Sequence, residues 1–393
     1  MRHADITRRL AGLGGAKWDV HLRARAMAEA GADVIELTIG EPDVPTPEAL
    51  VETAAAAMRA GRTGYSNGRG EAGLCRALAA RYTRTTGREI RADQVLCFPG
   101  TQTALYAVMT GLLDPGDEVL VGDPLYATYE GVIRAPGGAM VGVPLDPGRG
   151  FRLCAGDLAA RVTERTRAIL LNTPHNPTGA VLTADDIRAI GEVARAHDLW
   201  IVSDEVYEEL IFDGVPFASP LAEPGLAERT IVVSSISKSH AAPGFRSGWA
   251  IGPEEWAEAL LPLSETMLFG NQPFIADMTE AALAAPSEVA AGMRARFAAR
   301  AERLAARLAG SPLGVHRPEA GMFALIDVSA TGLTAEAYAR DLLDWAGVAV
   351  MPGTAFGESL EGWVRIALTV EDAAFDAAIG RILDHAAARE AAA

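Results

Sequence analysis

A chain of 393 residues, 49% of them hydrophobic, carries enough apolar material for one large core or two closely joined ones. Its 51 acidic against 35 basic side chains leave a formal charge of −16, which excludes the basic surface that a nucleic-acid partner requires. Three widely spaced cysteines without a CxxC pair indicate neither a disulfide framework nor a zinc site, and no apolar run reaches the ~18 residues that span a bilayer.

Arg2, Arg8 and Arg9 open the chain without an apolar stretch behind them, so a secretory signal is not expected and a cytoplasmic protein is. Residues 1–45, ending in Ile39-Gly40-Glu41-Pro42-Asp43, read as an arm and connector rather than a core, joined to a smaller unit. Residues 46–286 then alternate short apolar runs with helical patterns, the mark of an α/β unit whose mostly parallel sheet is covered on both faces. Seven strands are expected, at 94–98, 118–121, 139–143, 168–171, 200–203, 230–233 and 248–251. Helices are expected at 101–113 and 184–196, the second with Ile187, Ile190, Val193 and Ala194 at helical spacing. Asp114-Pro115-Gly116-Asp117 and Asp146-Pro147-Gly148 supply turns. From 287 to 393 the pattern becomes a smaller α+β unit: a long Ala/Arg-rich helix over 287–309, strands at 321–328 and 348–351, and a final helix from Glu371.

Lysine is the rarest charged residue here, two against 33 arginines, and the two are Lys17 and Lys238. A guanidinium stays protonated and forms no Schiff base with a carbonyl, whereas a primary amine does. Lys238, in Ser234-Ser235-Ile236-Ser237-Lys238-Ser239-His240, follows an apolar run and is the candidate for covalent chemistry; Lys17 suits a surface role. Three further segments open onto the carboxyl ends of expected strands, where open parallel sheets bind ligands. Asn172-Thr173-Pro174-His175-Asn176-Pro177-Thr178-Gly179 holds out an amide, Ser203-Asp204-Glu205-Val206-Tyr207 an acid and a phenol, and Gly100-Thr101-Gln102 a helix N-terminus suited to an anion.

An aldehyde-reactive lysine, a buried acid, an Asn/Tyr pair directed at an oxygen and a phosphate cradle together describe pyridoxal 5′-phosphate (PLP). Asp204 would keep the pyridine nitrogen protonated. Tyr207 and Asn176 would bond the ring's 3′-oxygen. Ser235 and Arg246 would hold the phosphate, the arginine as a charge-assisted clamp. Gly68-Arg69-Gly70-Glu71-Ala72-Gly73 matches G-x-G-x-x-G but follows no apolar strand, so a dinucleotide site is not expected. His175 and His240 lack metal-ligand spacing and read as packing groups; no metal is expected.

The spacing Asn176…Asp204…Lys238…Arg246, at 28, 34 and 8 residues, resembles that of the class I aminotransferases, the aspartate-aminotransferase-like group of fold-type I PLP enzymes. The resemblance runs from Gly40 to Arg365. It implies a fold-type I architecture, and ping-pong transamination between an amino acid and a 2-oxo acid, with Lys238 holding PLP as an aldimine. It also implies that Tyr126, in Asp123-Pro124-Leu125-Tyr126, stacks on the pyridine ring. Arg365, in Trp363-Val364-Arg365-Ile366-Ala367, would take the substrate carboxylate, with Gly40 and Asn176 beside it. Tyr65 would reach the phosphate across a homodimer whose active sites are shared.

Residues 264–270 lack the additional arginine of the family's dicarboxylate specialists. Ala16-Lys17-Trp18-Asp19-Val20-His21, Ser237-Lys238-Ser239-His240 and His197-Asp198-Leu199-Trp200 resemble the arginine–pyruvate transaminases. The implied donor is L-arginine or a related guanidino amino acid, with pyruvate as an acceptor. Trp18 and Asp19 are then substrate-binding candidates, and Asp19, Glu41 and Glu265 are candidate partners for a guanidinium. Ala241-Ala242-Pro243-Gly244-Phe245 departs from the Met-Thr-Gly-Trp-like run of those relatives, which leaves substrate preference open. The alternatives are a modified-arginine 2-oxo acid such as ketoenduracididine, a broad aromatic/methionine range, or a PLP β-lyase. A ligand-sensing regulator on the same fold would need a DNA-binding module, and neither the short arm nor the acidic balance offers one.

Overall fold

The computed structural model describes residues 2–13 and 18–392, so Lys17 lies outside the described residues. Seven strands form the main sheet in the order Val95–Phe98, Gly248–Ile251, Thr230–Ser235, Trp200–Asp204, Thr166–Asn172, Glu118–Asp123, Ala139–Pro144. The last five run parallel, and Gly248–Ile251 is antiparallel to both its neighbours. All seven expected strands are present, most of them a residue or two longer than their apolar runs.

Side chains alternate between the two faces of this sheet, and both faces are buried. Phe98, Val121, Leu170, Val202 and Val233 pack under helices Thr101–Leu112 and Glu254–Met267 through Leu105, Val108, Trp256 and Leu260. On the opposite face Leu120, Ile169, Leu171 and Ile201 meet Ile187, Ile190 and Ala194 of helix Ala184–Ala196. That helix starts where expected because Thr183 and Asp186 form a reciprocal capping box.

A second, four-stranded antiparallel sheet has the order Met351–Pro352, Trp363–Ala367, Phe323–Asp327, Gly314–His316. Helices Glu288–Leu308, Ala335–Ala346 and Asp372–Ala392 cover it. Two expectations need correction here. The strand expected at 348–351 is broken: Val348–Ala349 pairs with Ile35–Glu36, and Met351–Pro352 pairs with Trp363–Ala367. The first ~45 residues are also more than an arm, since Val20, Ala24 and Leu37 are buried with Phe297, Phe323 and Ile366. A two-residue strand shows no alternation, and its partner lies over 300 residues away in the chain, so neither feature left a local signal.

A buried ion cluster ties these distant segments together. Arg300, 3% exposed, donates to Asp43 (2.8 Å), Asp372 (2.7 Å) and the Leu368 carbonyl (2.8 Å). Burial alone would raise the Asp43 pKa, but hydrogen bonds from Arg296 and Arg300 hold it below its ordinary 3.8. Its contribution to stability is therefore in full above that value and fades as pH falls through the lowered one. Arg300→Met, which leaves Asp43 to Arg296 alone and takes the donor from the Leu368 carbonyl, is expected to lower the unfolding free energy by about 2 kcal/mol at pH 7. Urea unfolding checks this; a loss well under 1 kcal/mol would show that the cluster is not stabilising.

Candidate active site

Strand register brings the expected site residues together. Asn172 is the direct neighbour of Asp204 at the carboxyl ends of adjacent parallel strands. Ser235 pairs with Gly248, and Gly248 in turn pairs with Phe98, two residues before Gly100. Lys238 follows on the short helix Ile236–Ser239, which Ser235 Oγ caps by accepting from the Ser237 amide at 3.3 Å. Of these, Asn172, Asp204, Ser235 and Lys238 line one cavity of about 250 Å³, which also takes in Thr101, Gln102, Tyr126, Tyr207, Arg246 and Arg365; Gly100 is not part of its wall.

One end of the cavity is built for an anion. Gly100 has a φ of 88°, and a Cβ there would collide with the Arg246 guanidinium. Arg246 thus lies against the backbone at the start of helix Thr101–Leu112, whose first amides have no intrahelical acceptor. Arg246 donates to the Pro243 carbonyl at 2.7 Å and has a left-handed φ of 52°, a conformation that is sparsely populated for a residue other than glycine. Thr101 Oγ1 is buried without a partner among the described residues. The donor set fits a phosphate group.

The centre of the cavity holds the amine and the acid. Lys238 Nζ donates to the Gly40 carbonyl at 2.9 Å. Burial lowers its pKa to about 8, with Arg365 and Arg246 adding to the shift and Glu41 opposing it. The unprotonated, basic form of the amine is consequently far more populated near neutral pH than for an ordinary lysine. Gly40 can sit here because its missing Cβ leaves room for the Phe323 ring. Asp204, 3% exposed, accepts from Tyr129 Oη at 2.8 Å and from the Val206 amide at 3.2 Å. Burial raises its pKa to about 6 against the pull of those two bonds. At about 6 the group is still mostly ionised at neutral pH and ready for a cationic partner. Tyr207 faces the Asn176 amide, and burial pushes its hydroxyl pKa up, so it stays a neutral hydrogen-bond donor. The Asn176 backbone is held by Asn172, whose Oδ1 accepts the Asn176 main-chain N–H at 2.8 Å.

The third feature is Arg365, 4% exposed. It donates to Asn176 Oδ1 at 3.1 Å and to the Thr38 carbonyl at 2.6 Å. Its guanidinium lies 3.8 Å from the Phe323 ring centroid and 4.3 Å from that of Phe356. Burial lowers its pKa to about 9, no carboxylate pairs with it among the described residues, and its Nε is unpartnered. A buried cation facing a cavity in this state calls for an anionic ligand.

The candidates for guanidinium recognition are not brought to this cavity. Asp19 is an exposed helix residue paired with Arg340 at 3.0 Å, which corrects its reading as a substrate ligand. Glu41 is exposed beside a neighbouring hollow formed with Pro243 and Phe245, near enough to Lys238 to act on its charge but outside the cavity wall. Glu265 packs at Gly68. Trp18 does line the cavity. Tyr65 is absent from its own chain's cavity; it is 94% exposed and packs on Phe269. His240 bonds Ser239 and the Ala282 carbonyl, as a packing group does. Sequence reasoning missed Tyr129, Phe323 and Phe356. Tyr129 was within reach, three residues after Tyr126 and so on the same side of a helical turn; the two phenylalanines gave no local signal.

A phosphate cradle, a half-buried primary amine, a buried acid and a free guanidinium around one cavity define a PLP-dependent aminotransferase. The chain belongs to the family of class I and II aminotransferases, whose family model matches residues 32–382. It is 45% identical over 371 residues to the arginine–pyruvate transaminase AruH of Pseudomonas aeruginosa, covering 94% of each chain. It is 36% identical over 376 residues to an aspartate aminotransferase of Streptomyces avermitilis, covering 92% of this chain and 91% of that one. Among solved structures, a double mutant of Thermus thermophilus aspartate aminotransferase superimposes with a TM-score of 0.92 at 32% identity, over 98% of this chain and all of that one.

Tyr129→Phe removes a hydrogen bond that favours the ionised form of Asp204. The acid limb of the pH–rate profile is expected to move up by about one pH unit. An unmoved limb would show that Tyr129 does not tune Asp204.

Proposed function

We propose that this enzyme moves an amino group between L-arginine, or a related guanidino amino acid, and a 2-oxo acid such as pyruvate. The observation that carries the transaminase site is the buried, carboxylate-free Arg365 facing the same cavity as Lys238. The guanidino preference rests on the likeness to the arginine–pyruvate transaminase, together with the absence of arginine from residues 264–270. The α-carboxylate shared by amino acid and 2-oxo acid is assigned to Arg365 as a bidentate partner, with the Asn176 amide beside it.

When bound, PLP supplies an aldehyde carbon for amines and a pyridine ring that takes up the electrons of an α-carbanion. Lys238 is assigned as the nucleophile and as the base that removes the α-proton and returns it, a role suited to its lowered pKa. Asp204 is assigned to the pyridine nitrogen, Tyr207 and Asn176 to the ring hydroxyl, and Tyr126 to the ring face. Ser235, Thr101, Gln102, Gly100 and Arg246 are assigned to the phosphate. The exposed Tyr65 and Phe269 fit a homodimer in which Tyr65 serves the partner's phosphate site, in the cytoplasm. Residues 46–286 form the coenzyme-binding unit in this reading, and 1–45 with 287–393 the smaller one.

A second reading has specific support. Away from the assigned coenzyme contacts, the cavity wall includes Trp18, Ile39, Ala127, Val206, Phe323 and Phe356, and Asp204 is its only acidic side chain among the described residues. Such a wall favours apolar or aromatic side chains, hence a broad aromatic/methionine range. A half-reaction screen decides between the two: the coenzyme's absorbance is followed as arginine, methionine, kynurenine, alanine or glutamate is added. Conversion by arginine ahead of methionine and kynurenine supports the guanidino reading; the reverse order overturns it.

Lys238→Ala is expected to lower turnover by more than about 10⁴-fold while the fold persists, read by steady-state kinetics and circular dichroism. Retained turnover would remove Lys238 from the chemistry. Arg365→Ala is expected to raise KM for both the amino acid and the 2-oxo acid by about 100-fold, through loss of a bidentate charge-assisted contact. A change confined to one substrate would contradict the α-carboxylate assignment.

A further inference from the structure

Asn271 sits between helices Glu254–Met267 and Pro273–Ala282, is 2% exposed, and does not line the cavity. Its Nδ2 donates to the Phe98 carbonyl at 3.1 Å, and its Oδ1 has no partner among the described residues. The same Phe98 carbonyl accepts the Gly100 amide at 2.7 Å, closing the tight turn from strand to helix. Gly100 is the backbone against which Arg246 packs, and Thr101, next in the chain, carries the buried unpartnered hydroxyl.

We propose that Asn271 is a positioning residue for the phosphate end of the site. It holds the Phe98 carbonyl in place, and through it the Gly100 turn that sets the first helical amides and the Arg246 guanidinium at one spacing. Buried side-chain amide to carbonyl bonds of this kind are costly to leave unmade, so Asn271 adds a side-chain restraint to a carbonyl that otherwise has only backbone partners. No other side chain donates to that carbonyl among the described residues. This inference rests on placing the coenzyme phosphate at Gly100, Thr101 and Arg246.

The test is titration of the coenzyme-free enzyme with PLP, alongside the melting shift produced by inorganic phosphate, for Asn271→Ala, Asn271→Ser and Arg246→Ala. Asn271→Ala is expected to weaken PLP binding by about tenfold. It should shrink the phosphate-induced shift, while kcat at saturating PLP and KM for the amino donor stay within twofold of the parent. Asn271→Ser keeps a donor and should fall between the two, and it supplies the readout should the alanine variant not fold. Parental PLP affinity in the asparagine variants, with Arg246→Ala weakened, overturns the role of Asn271 alone. Parental affinity in Arg246→Ala as well overturns the placement of the phosphate. A lowered melting temperature with an undiminished phosphate shift marks Asn271 as structural only and also overturns the proposal.

Discussion

The site depends on keeping the Arg365 guanidinium out of water without a carboxylate. Burying an unpaired charge costs several kcal/mol, and the fold offsets this with two aromatic faces, the Asn176 carbonyl oxygen and the Thr38 carbonyl. Those contacts hold the cation in place but do not neutralise it. An incoming carboxylate therefore gains a charge-assisted interaction in a region of low dielectric, and its binding removes the one uncompensated charge at that end of the cavity. The same burial works on Lys238, where it holds the amine near neutrality, and on Asp204, where it acts in the opposite direction.

Positioning of these groups comes from sheet register more than from loops. Asn172 and Asp204 are neighbours because their strands are parallel and in phase, while Phe98, Gly248 and Ser235 form one row across three strands. A shift of one residue in any of these pairings would turn a site side chain into the core. The second sheet meets this frame at the cavity: Phe323 and Arg365 come from adjacent strands of it, and Phe356 from a loop whose carbonyl accepts the Leu125 amide. Asp123 at the end of a main-sheet strand also accepts from Ser359 at 2.8 Å. The Arg365 end of the cavity is thus supported by both sheets.

Much of this was legible in the amino-acid sequence because its signals are local. Main-sheet strand runs of four or five residues, the helical spacing of Ile187, Ile190, Val193 and Ala194, and the isolated Lys238 eight residues before Arg246 are each readable within a short window. What could not be read were contacts between segments hundreds of residues apart. The pairing of Ile35–Glu36 with Val348–Ala349, the Asp43–Arg300 bond and the aromatic pair around Arg365 leave no periodic trace. Asp19 was misplaced for the same reason: it has a carboxylate of the right type, but its helix turns it toward Arg340.

By itself the sequence determined the α/β frame, the coenzyme, and the residues at the strand ends, because hydrophobic period and residue chemistry act over a few positions. Only the tertiary structure decided that Arg365 lacks a counter-charge among the described residues, that Tyr129 bonds Asp204, and that Asn271 bonds the Phe98 carbonyl. Burial and the choice of hydrogen-bond partner are properties of the packed chain, set by which distant surfaces exclude water from a given group.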